Sequence, residues 1–318
     1  MITVQRSGLM ITVANSPQPP EAPPAVHRID VAGARHPISV GHIVLNIVLV
    51  GVVIWLILFA VTNPRLEWDV VGKYLFDGPV LQGLMTTLIL SIAAQLIGTI
   101  LGVLFASMRL GSFAPARWVG TAYVTAFRSV PVLLQLIFWF NLAYLVPKLS
   151  IGIPFGPTFA SWSANDVITP VVAAMMGLSL VQGAYMTEIV RAGILSVGSG
   201  QHDAARAMGF TPAQTFFRIT LPQAVRVIIP PTGSQFISVV HGSALVSVIA
   251  VGDLLYSVQN VYERTYQIVP LLLVAVIWYL VVVLVLTYFQ QKVEKRFSRG
   301  SLARQKIGRT PRAKAGVL

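Results

Sequence analysis

The sequence predicts an all-α membrane protein, a polytopic helical bundle of about six transmembrane helices. Three observations support this fold class. Of the 318 residues, 55% are hydrophobic and only 11% are charged, whereas an average soluble domain has about 25% charged residues. Six apolar runs are long enough to cross a hydrocarbon core of ~30 Å, which takes about 20 helical residues. The chain has no cysteine, which excludes disulfides, thiolate metal sites and cysteine nucleophiles.

The predicted spans are separated by more polar segments. Residues 1–41 are rich in proline and lack a hydrophobic run, which is typical of a disordered tail and not of a signal peptide. Gly98, Gly102 and Pro131 are expected to break the second and third spans, because neighbouring helices in a bundle satisfy the freed backbone groups. The spans are predicted at 43–62, 80–107, 118–146, 168–190, 227–250 and 267–289.

The distribution of basic residues predicts that both termini are cytoplasmic. An N-terminus placed inside puts nineteen of the 23 Lys and Arg residues on the cytoplasmic side and four outside, as the positive-inside rule expects. The cytoplasmic set includes Arg109, Arg117 and Arg128, and nine further residues in the tail at 291–318. A tail of this kind suits a flank that faces anionic lipid. The net charge of +12 therefore indicates a membrane flank and not a nucleic-acid partner.

A polar stretch, DAARAMGFTPAQTFFRITLP at 203–222, interrupts the apolar runs. A short helix is predicted at 201–208, with Gly209 as its left-handed C-cap. Pro212 then begins a second short helix, N-capped by the preceding threonine, and Pro222 is expected to end it. Two interpretations fit these residues: a surface loop packed on its own bundle, or a docking element for a cytoplasmic partner.

This stretch resembles the EAA loop of ABC-importer permeases, whose pattern is EAA-x3-G-x9-I-x-LP. Four other segments, GLMTTLILS, FRSVPVLLQL, AYMTEIVRAGI and LPQAVRVIIPPTGSQFIS, are similar to motifs of the polar-amino-acid permease family and follow the family's order over roughly 80–290. The loop departs from the pattern once, with Asp in place of the usual Glu. The matching residues are Asp203, Ala204, Ala205, Gly209, Ile219, Leu221 and Pro222.

The resemblance implies a five-helix type I importer core preceded by one extra span. It also implies a multi-pass subunit of a bacterial cytoplasmic (inner) membrane that imports a polar amino acid or a related small solute. Its expected partners are two ABC ATPase subunits, an external solute-binding protein and a second permease, identical or different. The expected organisation is the tail at 1–41, the extra span with an external segment at 42–79, the permease domain at 80–290 with a coupling loop at about 195–225, and the basic tail at 291–318.

The subunit is expected not to be an enzyme and to bind no cofactor or metal. The sequence has no G-x4-G-K-[ST] phosphate loop, so ATP and magnesium are expected on the partner ATPase. In this family the short helix of the loop fits a groove on that ATPase. Gly209 is expected to allow the chain reversal. Ala204 and Ala205 are expected to allow a close approach of the partner. Asp203 is expected to form an ion pair with the partner or with Arg206.

Polar residues within spans are costly and usually face the bundle interior or a cavity. In the fourth span, Gln182, Tyr185 and Glu188 share one face and are candidates for the solute path. Alternatively, Glu188 forms an interfacial ion pair with Arg191. The fifth span carries a polar seam that either lines the path or simply hydrogen-bonds between helices. The members of this seam are Gln235, Ser238, His241 and Ser243, and the family's usual Lys-Asp pair is replaced by His241-Gly242.

Two other function classes fit some of these residues. An intramembrane serine hydrolase would use His241, Ser243 and Asp253, but His241 and Ser243 are two apart on one helix and point to different faces, and the sequence has no G-x-S-x-G. A secondary transporter driven by an ion gradient needs paired ionisable groups within the membrane, and Glu188 is the only carboxylate in a predicted span. A requirement of uptake for ATP separates the importer from both.

Overall fold

The structure is a computed structural model that describes residues 40–153 and 157–307. The tail predicted at 1–41 lies almost entirely outside the described residues, as does the end of the predicted basic tail. The chain divides into two units, of which one ends at Thr62 and the other begins at Asn63.

The first unit contains helix α1 (Val40–Thr62). Its sequence has no charged residue, and every residue from 41 to 59 is exposed. A helix that is apolar on all sides is stable in a hydrocarbon environment, and its 23 residues are long enough to cross one. α1 therefore matches the span predicted at 43–62.

The second unit is helical apart from one small sheet and the connecting turns. Three short non-α segments occur among the described helices. They are a 3₁₀ turn at Pro64–Leu66, a π segment at Phe216–Thr220 and a 3₁₀ segment at Ala244–Ile249. The helices are α2 (Trp68–Leu75), α3 (Gly78–Leu110), α4 (Ala114–Ser129), α5 (Val132–Phe140), α6 (Leu142–Leu145), α7 (Ala164–Val167), α8 (Pro170–Leu195), α9 (Ser199–Ala207), α10 (Pro212–Thr215), α11 (Leu221–Ser243), α12 (Leu254–Thr265) and α13 (Ile268–Ile307).

Five helices within the described residues are long and apolar enough to cross a membrane. A sixth span results when the bent pair α4 and α5 is counted as one. This confirms the predicted fold class of a helical bundle with about six spans. The five continuous spans are Gly41–Thr62, Gly78–Leu110, Pro170–Leu195, Pro212–Ile249 and Ile268–Phe297.

Pro131 breaks the third span, as predicted. α4 and α5 meet at an angle of 102°, because the proline cannot donate a backbone hydrogen bond to the preceding turn. The buried side chain of Gln135 lies at this elbow. Its Nε2 donates to the carbonyl oxygens of Phe127 (3.1 Å) and Val130 (2.9 Å), which satisfies two acceptors that the end of α4 leaves without a helical partner.

Gly98 and Gly102 do not break the second span, so that prediction is wrong. α3 is continuous, and both glycines face α8. A Cβ added at Gly98 would lie 2.6 Å from Cγ of Gln182, and one at Gly102 would collide with Cβ of Met186. Small residues four apart let two membrane helices approach closely. The glycines therefore serve helix packing.

Pro222 does not end the second helix of the polar stretch. α10, the π segment and α11 follow one another without a gap, so Pro212–Ile249 forms a single span. Pro222 is the second residue of α11 and directly follows the π segment, so the N–H that it lacks falls at a local break in the i→i−4 hydrogen-bond pattern. The predicted stop is wrong, and the hairpin and the fifth span are one continuous element.

A two-stranded antiparallel sheet between α6 and α7 was not predicted. β1 (Lys148–Gly152) pairs with β2 (Thr158–Ser163), with Lys148 opposite Ser163. The sheet lies between the third and fourth spans, where short runs of mixed polarity gave no helical period. It leaves the all-α assignment of the bundle unchanged.

The core of the second unit has two main clusters of buried side chains. One joins α3, α5, α8 and the segment after α11 around Leu136 and Val246. The other packs α2, α3 and α12 against α13 around Leu254 and Val274. The first cluster, which also includes Val239 of α11, holds α3, α8 and α11 side by side, and the polar residues of the cavity lie where α8 and α11 meet.

Candidate functional site

α9 and α10 form a helical hairpin between α8 and α11, and Gly209 makes its reversal. Gly209 has a φ of +76°, a conformation that favours glycine. Its N–H donates to the carbonyl oxygen of Arg206 (2.9 Å), and the N–H of Phe210 donates to that of Ala205 (3.0 Å). These two bonds are a Schellman C-cap. A Cβ at Gly209 would meet no atom within 4 Å, so the backbone conformation, and not lack of space, requires glycine here.

The second half of the hairpin begins with a capping box, in agreement with the predicted helix start. The Thr211 Oγ1 accepts from the N–H of Gln214 (3.3 Å), and the Gln214 Oε1 accepts from the N–H of Thr211 (2.9 Å). Across the hairpin, His202 Nε2 lies 3.2 Å from Thr220 Oγ1. Ala205 is fully buried. The hairpin is therefore held by a capping box, a hydrogen bond between its halves and a buried alanine, all within this chain.

The predicted coupling residues differ in their exposure. Ala205 faces the interior of the hairpin, so its predicted close approach to a partner is not possible in this structure. Asp203 and Ala204 are exposed. Asp203 forms no ion pair with Arg206 or with another described residue. Of the remaining three, Ile219 and Leu221 are half-buried and Pro222 is exposed.

Two large apolar side chains of the hairpin, Met208 and Phe217, are each 65% exposed. Both lie in the polar stretch that also carries Asp203. Met208 was not among the predicted coupling residues, although it directly precedes the C-cap glycine Gly209.

Glu188 lies in a cluster of arginines from three helices. It accepts hydrogen bonds from Arg109 of α3 and from Arg191 of α8, whose Nη2 and Nε lie 3.0 and 3.1 Å from Oε2. The Arg128 Nη1 of α4 lies 3.9 Å from Oε1. The ion pair with Arg191 that was considered for Glu188 is present, with Arg109 as an additional partner. Arg128 was counted among the flanking basic residues, but it belongs to the last turn of α4 inside the bent span.

A cavity of about 320 Å³ lies between α8 and α11. Its polar lining consists of four residues predicted for the solute path, and the remainder is apolar apart from Gly242. The structure therefore brings together part of the predicted face of α8 and part of the predicted stripe of α11. The four polar residues are Gln182, Tyr185, Gln235 and Ser238.

The other three candidates for the solute path do not line this cavity. Glu188 forms ion pairs with Arg109 and Arg191, and His241 is exposed. Ser243 is buried, and its Oγ donates to the carbonyl oxygen of Val240 (2.8 Å). Asp253 caps α12, where its carboxylate accepts from the N–H groups of the next turn. Ser243 and Asp253 are both buried beside the hydroxyl group of Tyr279, whereas His241 is exposed and hydrogen-bonds to neither, so the three residues offer no hydrolase arrangement.

A chain of three glutamines joins α3, α8 and α11 beside the cavity. Gln182 Nε2 donates to Gln95 Oε1 (2.7 Å), and Gln235 Nε2 donates to Gln182 Oε1 (3.3 Å). Gln95 Nε2 in turn lies 3.3 Å from Thr99 Oγ1. Gln95 was not among the predicted site residues, although it is an amide in the middle of the second predicted span.

Comparison with known proteins identifies the family. Residues 98–299 match the family model described as "Binding-protein-dependent transport system inner membrane component". The chain belongs to this family of ABC-importer permeases. The permease is 34% identical to the arginine transport system permease protein ArgU of Corynebacterium glutamicum, over 86% of this chain and 84% of that protein. It is 35% identical to the L-cystine transport system permease protein TcyB of Bacillus subtilis, over 74% of this chain and 92% of that protein.

A solved structure agrees with this assignment. The permease superposes on a chain of the "Crystal structure of an amino acid ABC transporter with histidines" with a TM-score of 0.59 and 30% identity, over 69% of this chain and 94% of that one. The resemblance identified from the sequence is confirmed. A permease subunit of an ABC importer is a transport subunit, and the hydrolase and ion-gradient alternatives are not supported.

Proposed function

We propose that this permease imports a polar amino acid across a bacterial cytoplasmic membrane, driven by ATP that partner subunits hydrolyse. Its partners are two cytoplasmic ATPase subunits, which hold ATP and magnesium, an external solute-binding protein and a second permease. Both termini and the α9–α10 hairpin are cytoplasmic in this proposal. The relatives named for arginine and cystine transport support the solute class.

The observation that carries the proposal is the continuity between the hairpin and the cavity. α10 runs through the π segment into α11, and α11 carries Gln235 and Ser238 on the cavity wall. A displacement of the hairpin by the ATPases is therefore transmitted along one helical element to the solute path. The two states of the ATPase dimer bind the two states of the bundle with different affinity, and this difference supplies the work.

The exposed part of the hairpin is the proposed contact with the ATPase. Asp203 and Ala204 present a short, partly charged surface, and Met208 and Phe217 supply apolar groups that a groove would cover. Burial of two such side chains stabilises an interface by about 1.5–3 kcal/mol each. Gly209 holds the two halves of this surface in a fixed relation through its positive φ.

The cavity offers hydrogen bonds and no carboxylate. Its four polar residues are neutral, with amide and hydroxyl groups that act as both donors and acceptors. Such a wall suits a small polar solute that must be released again, because neutral hydrogen bonds are weaker than charge-assisted ones.

Reconstituted transport tests the proposal. The permease is co-expressed with its ATPase, purified as a complex and placed in proteoliposomes with the binding protein. Labelled L-arginine, L-cystine, L-glutamine and L-glutamate are the probes. Uptake of at least one of them is expected to require ATP on the ATPase side and to survive a protonophore. Uptake that proceeds without ATP and collapses with the proton gradient would contradict the proposal.

A further inference from the structure

Arg128 carries a guanidinium group that no described residue satisfies. Its closest carboxylate oxygen, on Glu188, is 3.9 Å from Nη1, which is beyond hydrogen-bond distance. Both oxygens of Glu188 already accept from Arg109 and Arg191. Three guanidinium groups therefore share one carboxylate, and the cluster has an excess of positive charge that is nearest to Arg128.

The guanidinium group of Arg128 lies beside Tyr185, within the bent span that α4 and α5 form. Its central carbon is 5.0 Å from the ring centre of Tyr185. A charged group within a span is costly unless it faces water or a counter-ion. Because the Arg128 side chain is 43% exposed within this chain, its N–H groups are accessible to a polar ligand.

Tyr185 connects Arg128 to the cavity. One part of the tyrosine lines the cavity between α8 and α11, and its ring lies against the guanidinium group. In a cation–π contact the positive charge of the guanidinium group lies over the aromatic ring. The N–H groups at the edge of the guanidinium plane then remain available for hydrogen bonds. Those groups match the two oxygens of a carboxylate in a bidentate arrangement.

We infer that Arg128 binds the carboxylate group of the transported amino acid as the solute moves past Tyr185. The inference rests on the proposed function, because it takes the solute to be an amino acid. The carboxylate supplies the acceptor that Arg128 lacks and balances part of the positive excess. The neutral amides of the cavity then contact the remainder of the solute, so Arg128 is the residue of the path that recognises the negative charge of the solute.

A single thiol at this position provides the test, because the natural chain has no cysteine. Arg128→Cys is introduced into the complete transporter in proteoliposomes and treated with charged methanethiosulfonate reagents. We expect the thiol to react, whereas Leu56→Cys in the apolar helix α1 does not. Uptake of the amino acid probe that the wild type imports is expected to fall about tenfold or more, as for loss of a charge-assisted hydrogen bond.

Chemical rescue separates binding from a structural role. The aminoethyl reagent restores a positive charge at position 128 and is expected to restore part of the uptake, whereas the sulfonatoethyl reagent, which adds a negative charge, is not. Arg117→Cys is the matched control, because this exposed arginine lies on the same helix and has no ion pair with a described residue. It is expected to transport normally with either reagent.

Several outcomes would overturn the inference. They are an unreactive thiol in Arg128→Cys, uptake at the wild-type rate before treatment, or rescue by both reagents alike. Failure of the proposed function is distinguishable, since the wild-type complex itself would then import none of the probes, and that result would overturn both proposals.

Discussion

Two polar networks share helix α8 and differ in charge. Glu188 pairs with Arg109 and Arg191, whereas Gln182, six residues earlier, joins Gln95 and Gln235 through neutral amides. Only the neutral network borders the cavity. The comparison teaches that α8 carries two different polar environments: a charged cluster that joins α3, α4 and α8 around Glu188, and neutral groups that line the cavity proposed for the solute.

Removal of the carboxylate from the charged cluster should have the largest effect. Glu188→Ala leaves three guanidinium groups within a few ångströms without their counter-ion. Removing one partner of a buried ion pair costs about 3–5 kcal/mol, and the partial exposure of Glu188 places the expected loss near the lower end. Thermal unfolding of the purified permease in detergent measures this loss. Asp203→Ala is the control, because this exposed carboxylate has no ion pair with a described residue. Equal unfolding temperatures for the two variants would contradict the role of the cluster.

Asp253 sharpens the comparison, because it is a buried carboxylate without a described cation. Burial raises the pKa of Asp253 to about 6, although the hydrogen bonds from the N–H groups of Tyr256 and Leu255 act in the opposite direction and lower it. Since the folded-state pKa is above the unfolded value of about 3.9, stability falls as the pH rises from about 4 to about 6, by up to ~3 kcal/mol.

The variant Asp253→Asn isolates this effect. Asparagine retains a side-chain oxygen that caps α12 as well as aspartate does, so the fold is expected to persist without the loss above pH 4. At pH 8 the variant should unfold at a higher temperature than the wild type, and at pH 4 at nearly the same one. A parallel pH dependence for both proteins would contradict the assignment to Asp253.

The neutral network should give the smallest loss of stability. Gln182→Leu leaves Gln95 Oε1 without its donor and Gln235 Nε2 without its acceptor. Unsatisfied buried polar groups cost about 1–3 kcal/mol, and the open cavity beside them lets water replace part of the lost bonding, so about 1 kcal/mol is expected. Gln201→Leu, on the exposed face of α9, serves as the control in the same unfolding experiment. A loss as large as that of Glu188→Ala would remove the distinction between the two networks.

The spans and the hairpin were predictable because their signals are local. Hydropathy over about 20 residues identifies a span, and Gly209 with Pro212 marks the reversal by backbone chemistry alone. The four cavity residues followed from helical periodicity within α8 and α11. What failed depends on contacts between helices: Gly98 and Gly102 pack against α8, and Pro222 sits inside a continuous element, neither of which the local pattern reveals.

Arg128 and Gln95 were not predicted as site residues for the same reason: their roles depend on contacts with other helices. Arg128 was treated as a flank because flanks are where arginines usually occur, although it lies well inside the predicted third span. Its environment is set by Tyr185 and Glu188, which are more than 50 residues away in sequence. Gln95 likewise gains its role from Gln182. An arginine well inside a predicted span is the signal that would have identified Arg128.

The most direct test of the central claim compares two glycines of the hairpin region. Gly209→Val forces a β-branched residue into a positive φ, which costs about 1–2 kcal/mol or more, whereas Gly200→Val meets open space without a positive φ. We predict that both variants insert into the membrane, and that only Gly209→Val lowers the amount of solute imported per ATP hydrolysed, by about tenfold, equivalent to ~1.4 kcal/mol of coupling. Normal ATPase recruitment and normal uptake in Gly209→Val would contradict the claim that ATP hydrolysis is coupled to transport through this hairpin.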